Sequence, residues 1–407
     1  MAVTLRSLIP AVFLPALVYE IGNGAIAPIV ALTAIDLGAT TATAGLIITL
    51  IGVGQIVGNV PSSALVSRLG DRRAMVVAAL VAAGSLVMCF RAPGLVSFGA
   101  AVTVIGACNA TFYLARQHYI GDVVGPDLRA TALSTLGGSH RIGLFLGPFA
   151  GAAAIHLFSS TRAPYLVAVG AGLVAVLVLI VVPDVEGSRD RSVARPPAVS
   201  LRSVLASHHG LFLTLGFAVL AVGATRSARM TVIPLWAAHL GLNESTTSLV
   251  FGAAAAVDMA LFYPAGRLMD QMGRLSVAIP SMVILGGATA LLPLAGGAVS
   301  LGVAAMAMSF GNGLGSGIMM TLGADVAPPA AKVRFLSVWR TMSDTGAASG
   351  PLLVSLLASV WTLAAGIVAI GSVGLLAALG LGRWVPRHSP YANRRMVRAA
   401  RERVGRA

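Results

Sequence analysis

Charge is what this chain has least of. Only 10% of its 407 residues are charged, and Lys332 is the single lysine. A soluble domain carries about 25% charged residues, so there is too little polar surface here to cover a soluble globule of this size. The scarcity of lysine also excludes a phosphate-binding loop of the G-x-x-x-x-G-K-[ST] kind, because Lys332 lies in "PPAAKVR". Cysteine is nearly absent. Cys89 and Cys108 both fall in apolar runs, offer no disulfide framework and match no metal-ligand spacing. They are expected to be small core residues, and no metal or cofactor is expected. What is abundant is apolar: 57% of residues are hydrophobic and the mean hydropathy is +0.88. Membrane is therefore the default class.

The net charge of +14 does not point to nucleic acid. Arginines cluster from Arg383 to Arg406 and in short loops, with no basic stripe interleaved with aromatics. That distribution is a positive-inside bias. A spanning helix needs about 20 apolar residues, and twelve candidates follow: 8–33, 43–66, 74–91, 96–120, 130–156, 164–183, 211–237, 246–267, 276–295, 299–323, 333–358 and 361–383. With both termini inside, the outer loops hold only Arg91 and Arg162. Arg116, Arg141, Arg226, Arg229 and Arg340 fall within spans, and the other basic residues lie in inner loops, linker and tails. A multi-pass protein of the cell membrane with cytoplasmic termini is expected. The polar, Pro-rich stretch after Pro183 reads as a linker. The expected organisation is a six-helix bundle over 1–183, a cytoplasmic linker over 184–210, a second bundle over 211–386 and a basic tail over 387–407.

The halves repeat. "PSSALVSRLGDRR" from Pro61 and "PAGRLMDQMGRLS" from Pro264 have the same shape, 203 residues apart. At the same offset Leu37-Gly38 meets Leu240-Gly241, Asn109 meets Asn312, Asp122 meets Asp325, and Gly147-Pro148 meets Gly350-Pro351. One offset without a net gap implies a parallel repeat, an arrangement of transporters whose halves are related by an axis along the membrane normal.

On these residues the chain resembles a major facilitator superfamily transporter, and most of all its twelve-helix drug/proton antiporter group. The loop after the second helix in that family reads roughly G-x-L-x-D-R-x-G-R-R. Here Leu65, Arg68, Gly70, Arg72 and Arg73 match it, while Ser63 and Ser67 depart from it. The second-half loop matches through Gly266, Leu268, Asp270, Gly273 and Arg274. In the fifth helix Gly143, Gly147, Pro148 and Gly151 resemble the antiporter motif. The arginine usual in the fourth helix is replaced by Val102. The resemblance implies an all-α membrane fold of two six-helix bundles around a cavity between helices 1, 4, 5 and 7, 10, 11. It also implies an inner gate at Arg68, Gly70, Arg72, Arg73, Asp270, Gly273 and Arg274. The small-residue stripe of Gly143, Gly147 and Gly151 permits close helix approach.

An ionisable group inside the membrane is costly unless paired or wet, so each is a functional candidate. The acids are Glu20, Asp258 and Asp344; the bases are Arg116, Arg141 beside His140, Arg226, Arg229 and Arg340. The repeat matches Asp258 with Gln55, Asp344 with Arg141, and Arg226 with Asn23. Recurrence with altered charge is expected of positions lining a shared cavity, so Asn23, Gln55, Asn109, Arg141, Arg226, Arg229, Asn312 and Arg340 are the expected cavity residues. Arg340 and Asp344 can neutralise each other at i,i+4. Arg226 and Arg229 can pair with Asp258. Arg116 is expected to snorkel or to bind Asp122. Glu20 has no base within its own helix turn and is the first candidate for the proton-carrying group, ahead of Asp258, Asp344 and His140. A carboxyl withdrawn from water can exchange a proton near neutral pH.

Two functions follow. One is a proton-coupled exporter of small amphipathic molecules or drugs, working by alternating access as a monomer in the bilayer. The alternative is a carrier for an anionic solute clamped by the arginines, since a guanidinium suits carboxylate or phosphate. An enzyme is not expected, because no nucleophile–base pair or metal cluster stands out.

Overall fold

The computed structural model describes residues 5–124, 126–183, 201–328 and 332–398. Among them the chain is helical, with twelve long helices in chain order: α1 (Ile9–Asp36), α2 (Thr41–Leu69), α3 (Asp71–Phe90), α4 (Leu95–Val123), α5 (Pro126–Phe158), α6 (Ala163–Val181), α7 (His209–His239), α8 (Glu244–Met272), α9 (Leu275–Leu294), α10 (Ala298–Val326), α11 (Lys332–Val360) and α12 (Leu363–His388). Each expected span overlaps one of them. Among the described residues eleven are long and apolar enough to cross a membrane. The twelfth, α11, has the length, but Lys332, Arg334, Arg340 and Asp344 dilute its hydropathy. Of the expected linker, 184–200 lies outside the described residues, and Leu201–Ser207 is helical.

The 203-residue offset is visible in the local backbone of each half. Thr40 caps α2 by accepting from the Thr43 N–H, and Asn243 caps α8 by accepting from the Thr246 N–H. Such caps satisfy donors that a helix start leaves unpaired. Gly94 and Gly297 precede α4 and α10. Left-handed glycines recur in register at Gly38 and Gly241 and at Gly70 and Gly273. A π-helical turn opens α1 at Ile9–Phe13, and another recurs at Phe212–Gly216 in α7. Interruptions break the register: α1 is broken at Ala27 and Pro28, where its counterpart α7 is continuous. Around Gly317, in the left-handed region, α10 is interrupted between Leu314 and Ile318, whereas its counterpart α4 is continuous.

By packing, the chain divides into two compact units: Met1–Val193 with Ala237–Gly252, and Ala194–Trp236 with Ala253–Ala407. The segment 237–252 joins the first unit, where the Ser245 hydroxyl and His156 Nε2 are 2.8 Å apart. In the first unit an alanine face of α3 (Ala74, Ala78, Ala82) packs with Met75, Phe112, Cys108, Val176 and Leu179. In the second, Phe335 stacks on Phe212 with ring centroids 5.1 Å apart, and Trp339 stacks on Phe335. Large apolar side chains such as Leu177, Ile180, Val181, Leu376 and Leu379 remain exposed on helix faces. Water would penalise such faces, and a bilayer covers them.

Candidate functional site

In the first unit, α1, α4 and α5 converge on one carboxylate. Glu20 is fully buried. Its Oε1 lies 3.0 Å from Arg116 Nη1 and 2.9 Å from His140 Nδ1. The His140 contact has ion-pair distance but lies off the line of a hydrogen bond. Its Oε2 accepts from Asn23 Nδ2 at 3.2 Å and from the Tyr113 hydroxyl at 3.3 Å. Arg116 Cζ also lies 4.4 Å from the centre of the Tyr113 ring, in cation–π contact. Next to these, the Tyr19 hydroxyl donates to Asn109 Oδ1 at 2.7 Å, and the Tyr19 ring stacks on Phe112.

Glycine makes the convergence possible. A Cβ added at Gly143 would overlap Glu20 Cβ, and one at Gly147 would collide with α1 backbone at Ile21 and Ala25. The antiporter-like stripe therefore seats α5 directly on α1, one turn beyond His140. Gly151 continues the contact at Ala25, and Pro148 lies within α5.

Burying one charge is expensive unless it is paired, and Arg116 supplies the pair. With His140 neutral, the cluster carries no net charge; one bound proton makes it +1. The imidazole side chain is 34% exposed while the carboxylate is fully buried, so His140 is the more accessible member of the contact.

The second unit uses the corresponding positions differently. Arg226, the counterpart of Asn23, donates from Nε to Asn312 Oδ1 at 2.8 Å, from Nη1 to the Gly315 carbonyl at 3.1 Å and from Nη2 to the Asn312 carbonyl at 3.3 Å. These are carbonyls at the interruption of α10, where intrahelical donors are missing. Asn312 Nδ2 donates to Asp258 Oδ1 at 2.9 Å. Arg229 donates to the Ser309 hydroxyl and lies 3.8 Å from Asp258 Oδ2.

The remaining expected positions are scattered. Gln55 is half-buried on α2 with no side-chain hydrogen bond among the described residues. Arg141 is half-buried beside His140. Arg340 and Asp344 form a 3.7 Å i,i+4 pair with side chains 66% and 57% exposed, a local neutralisation. Arg116 departs from expectation: it reaches Glu20 rather than the helix end, because a buried carboxylate on α1 is the nearest strong acceptor. The side chain of Asp122 lies outside those described. At the first gate loop Arg68 and Arg73 are exposed, Gly70 is left-handed, and Arg72 Nε donates to the Leu179 carbonyl. Asp71, which sequence reasoning left aside, lies 2.9 Å from His118 Nδ1. At the second, Arg274 forks onto Asp325 at 2.8 and 3.2 Å and reaches Asp270 at 3.3 Å. Burial would lower the Arg274 guanidinium's pKa, but the hydrogen bonds and charge of Asp325 and Asp270 outweigh it and raise it. Gly273 at φ +96° forms the turn.

Tyr113 was missed by sequence reasoning, although its spacing held a signal. It lies four residues after Asn109 and three before Arg116, on one face of α4.

The Major Facilitator Superfamily profile matches residues 12–223 and 215–402. A protein of Mycobacterium tuberculosis (strain ATCC 25618 / H37Rv), described as an uncharacterized MFS-type transporter, is 25% identical over 254 residues. That alignment spans 60% of this chain and 60% of the relative's length. Among solved structures, the human organic anion transporter MFSD10 (TETRAN) is similar with a TM-score of 0.65 at 15% identity, covering 93% of this chain and 100% of that one. A D-xylose-proton symporter gives a TM-score of 0.67 at 15% identity, covering 95% and 98%. At such identities the likeness concerns the fold.

Proposed function

The chain belongs to the Major Facilitator Superfamily, and on that footing we propose that it is a proton-coupled exporter of small amphipathic molecules. It is a multi-pass membrane transporter. The single observation that carries the finer reading is the buried Glu20 between Arg116 and His140. Such a cluster can take up and release one proton, passing between a net charge of zero and +1. The glycine stripe adds support, because the helix that resembles the antiporter motif is the one that brings His140 to Glu20. Glu20 is fully buried, whereas the side chains of Asp258 and Asp344 are 15% and 57% exposed. Both are therefore secondary proton candidates.

The alternative of an anion carrier has less support. The donors of Arg226 are directed at Asn312 and Gly315, and Arg229 at Ser309 and Asp258. A solute carboxylate would have to displace those partners. Orientation with both termini in the cytoplasm, placement in the cell membrane and action as a monomer belong to the same proposal, the first on the arginine distribution.

The test is a screen in proteoliposomes with an imposed proton gradient, using amphipathic cations, neutral amphiphiles and organic anions. Uphill movement of amphipathic cations or neutral amphiphiles, collapsing with the gradient, is the expected result. Transport confined to organic anions and indifferent to the proton gradient would remove this reading.

A further inference from the structure

The end of α12 carries a face that changes character within two turns. Leu375, Leu379, Arg383 and Arg387 follow one another at four-residue spacing, so they form one stripe along the helix. All four are exposed. A stripe that passes from leucine to arginine marks the level where acyl chains give way to headgroups. Trp384 stands at the same level, with Arg387 Cζ 4.8 Å and Arg383 Cζ 5.8 Å from its ring centre. Tryptophan is enriched at this boundary.

Beyond α12 the chain turns back and docks. The Arg274 N–H donates to the Tyr391 carbonyl at 3.0 Å and the Leu275 N–H to the Ala392 carbonyl at 2.9 Å. The Ser389 hydroxyl donates to Asp325 Oδ2 at 3.0 Å, on the carboxylate that also holds Arg274. Arg274 Cζ lies 5.2 Å from the Tyr391 ring centre. Gly273 leaves room for this approach, since a Cβ there would meet the Asn393 backbone at 2.6 Å. Ala392 and Val397 are buried, while Arg394, Arg395 and Arg398 are exposed. From 383 to 398 there is no Asp or Glu. A basic tail that served only to orient the chain would need no fixed seat. Here backbone hydrogen bonds, a shared carboxylate and two buried side chains hold the segment and leave its arginines outward.

We propose that the end of α12 and the docked segment 389–398 form a binding surface for anionic phospholipid headgroups. Each guanidinium can grip two phosphate oxygens. Basic residues beside a spanning helix are attracted to the anionic leaflet. The phospholipid is favoured as occupant because the arginines continue a lipid-level leucine stripe. This inference does not depend on the transported substrate.

The experiment uses the full chain in nanodiscs of pure phosphatidylcholine or of phosphatidylcholine with phosphatidylglycerol. The thermal midpoint is read in each, together with the lipid retained in native mass spectrometry. Phosphatidylglycerol should raise the midpoint and be retained, and added salt should reduce the gain. The triple variant Arg394→Gln, Arg395→Gln, Arg398→Gln should lose more than half of that gain with its midpoint in pure phosphatidylcholine unchanged. The corresponding triple lysine variant should keep it. If the glutamine triple is already destabilised in pure phosphatidylcholine, the double variant Arg383→Gln, Arg387→Gln decides, because it leaves the docked segment untouched. No gain from phosphatidylglycerol in the unmodified protein, a full gain in the glutamine variants, or loss of the gain with lysine would overturn the proposal.

Discussion

The first unit buries an acid and brings bases to it; the second holds Arg226 on Asn312 and the Gly315 carbonyl, and Arg229 on Ser309 and Asp258. Both start from one scaffold. Asn23 and Arg226 are counterparts, as are Asn109 and Asn312, and α5 packs on α1 through Gly143 as α11 packs on α7 through Gly346. The difference lies in what the polar groups do. Arg116 and His140 both lie within ion-pair distance of Glu20. Arg226 instead closes the interruption of α10 at Gly315, and Asp258 is satisfied by Asn312 and Arg229. A repeated fold thus supplies two equivalent places, one where a buried acid meets bases and one where an arginine spans a broken helix.

The largest effect on stability should come from splitting the first cluster. Arg116→Gln takes the permanent cation from the buried Glu20 and leaves only His140, Asn23 and Tyr113 beside it, a loss of up to about 3–5 kcal/mol. Adding Glu20→Gln should restore most of it, since two neutral amides carry no uncompensated charge. Thermal denaturation in detergent measures both. An unaltered midpoint for the single variant would mean that the pair is not a buried ion pair. Next comes Arg226→Gln, which removes donors from the Asn312 and Gly315 carbonyls at a cost of about 1–3 kcal/mol. Here no second-site neutralisation of Asp258 should rescue, because the lost acceptors, the Asn312 side-chain oxygen and the Asn312 and Gly315 carbonyls, are uncharged. Rescue would erase the contrast between the units.

The glycines sharpen the comparison. Gly143→Ala and Gly346→Ala each force a helix off its neighbour, at about 1–3 kcal/mol. Their stability losses should be alike, but only Gly143→Ala should alter the pH profile of transport, since only it separates His140 from Glu20. Equal pH profiles would show that the stripe acts by packing alone. The smallest effect belongs to Arg340→Gln. Its pair with Asp344 is exposed, and such pairs contribute about 0–1 kcal/mol.

Much of the fold was legible in the sequence because its signals are local or periodic. Apolar runs gave the spans, and the offset between Gly70 and Gly273 survives as a shared left-handed turn. The helix α11 is the instructive span, since its length was readable but its charges lower its apparent hydropathy. The candidate site was legible only in part. That Glu20 would be important followed from an acid in an apolar run. That its partners would be Arg116 and His140 did not, because they lie 96 and 120 residues away and the pairing depends on how three helices meet. The docked segment 389–398 was read as a plain tail, because backbone hydrogen bonds to Arg274 and Leu275 leave no mark in side-chain pattern.

The central claim is that Glu20 links proton movement to substrate movement, and Glu20→Gln tests it most directly. The amide keeps the size of the side chain but leaves the buried Arg116 without its carboxylate, so the variant is compared at equal amounts of reconstituted protein, with the charge-balanced Glu20→Gln, Arg116→Gln double variant beside it. In proteoliposomes loaded with a transported amphiphile, the variant should still exchange internal for external substrate at equilibrium. It should fail to concentrate substrate when a proton gradient is imposed, and its transport should no longer vary with pH. Concentration of substrate against its gradient by Glu20→Gln, with the pH dependence of the unmodified protein, would contradict the account.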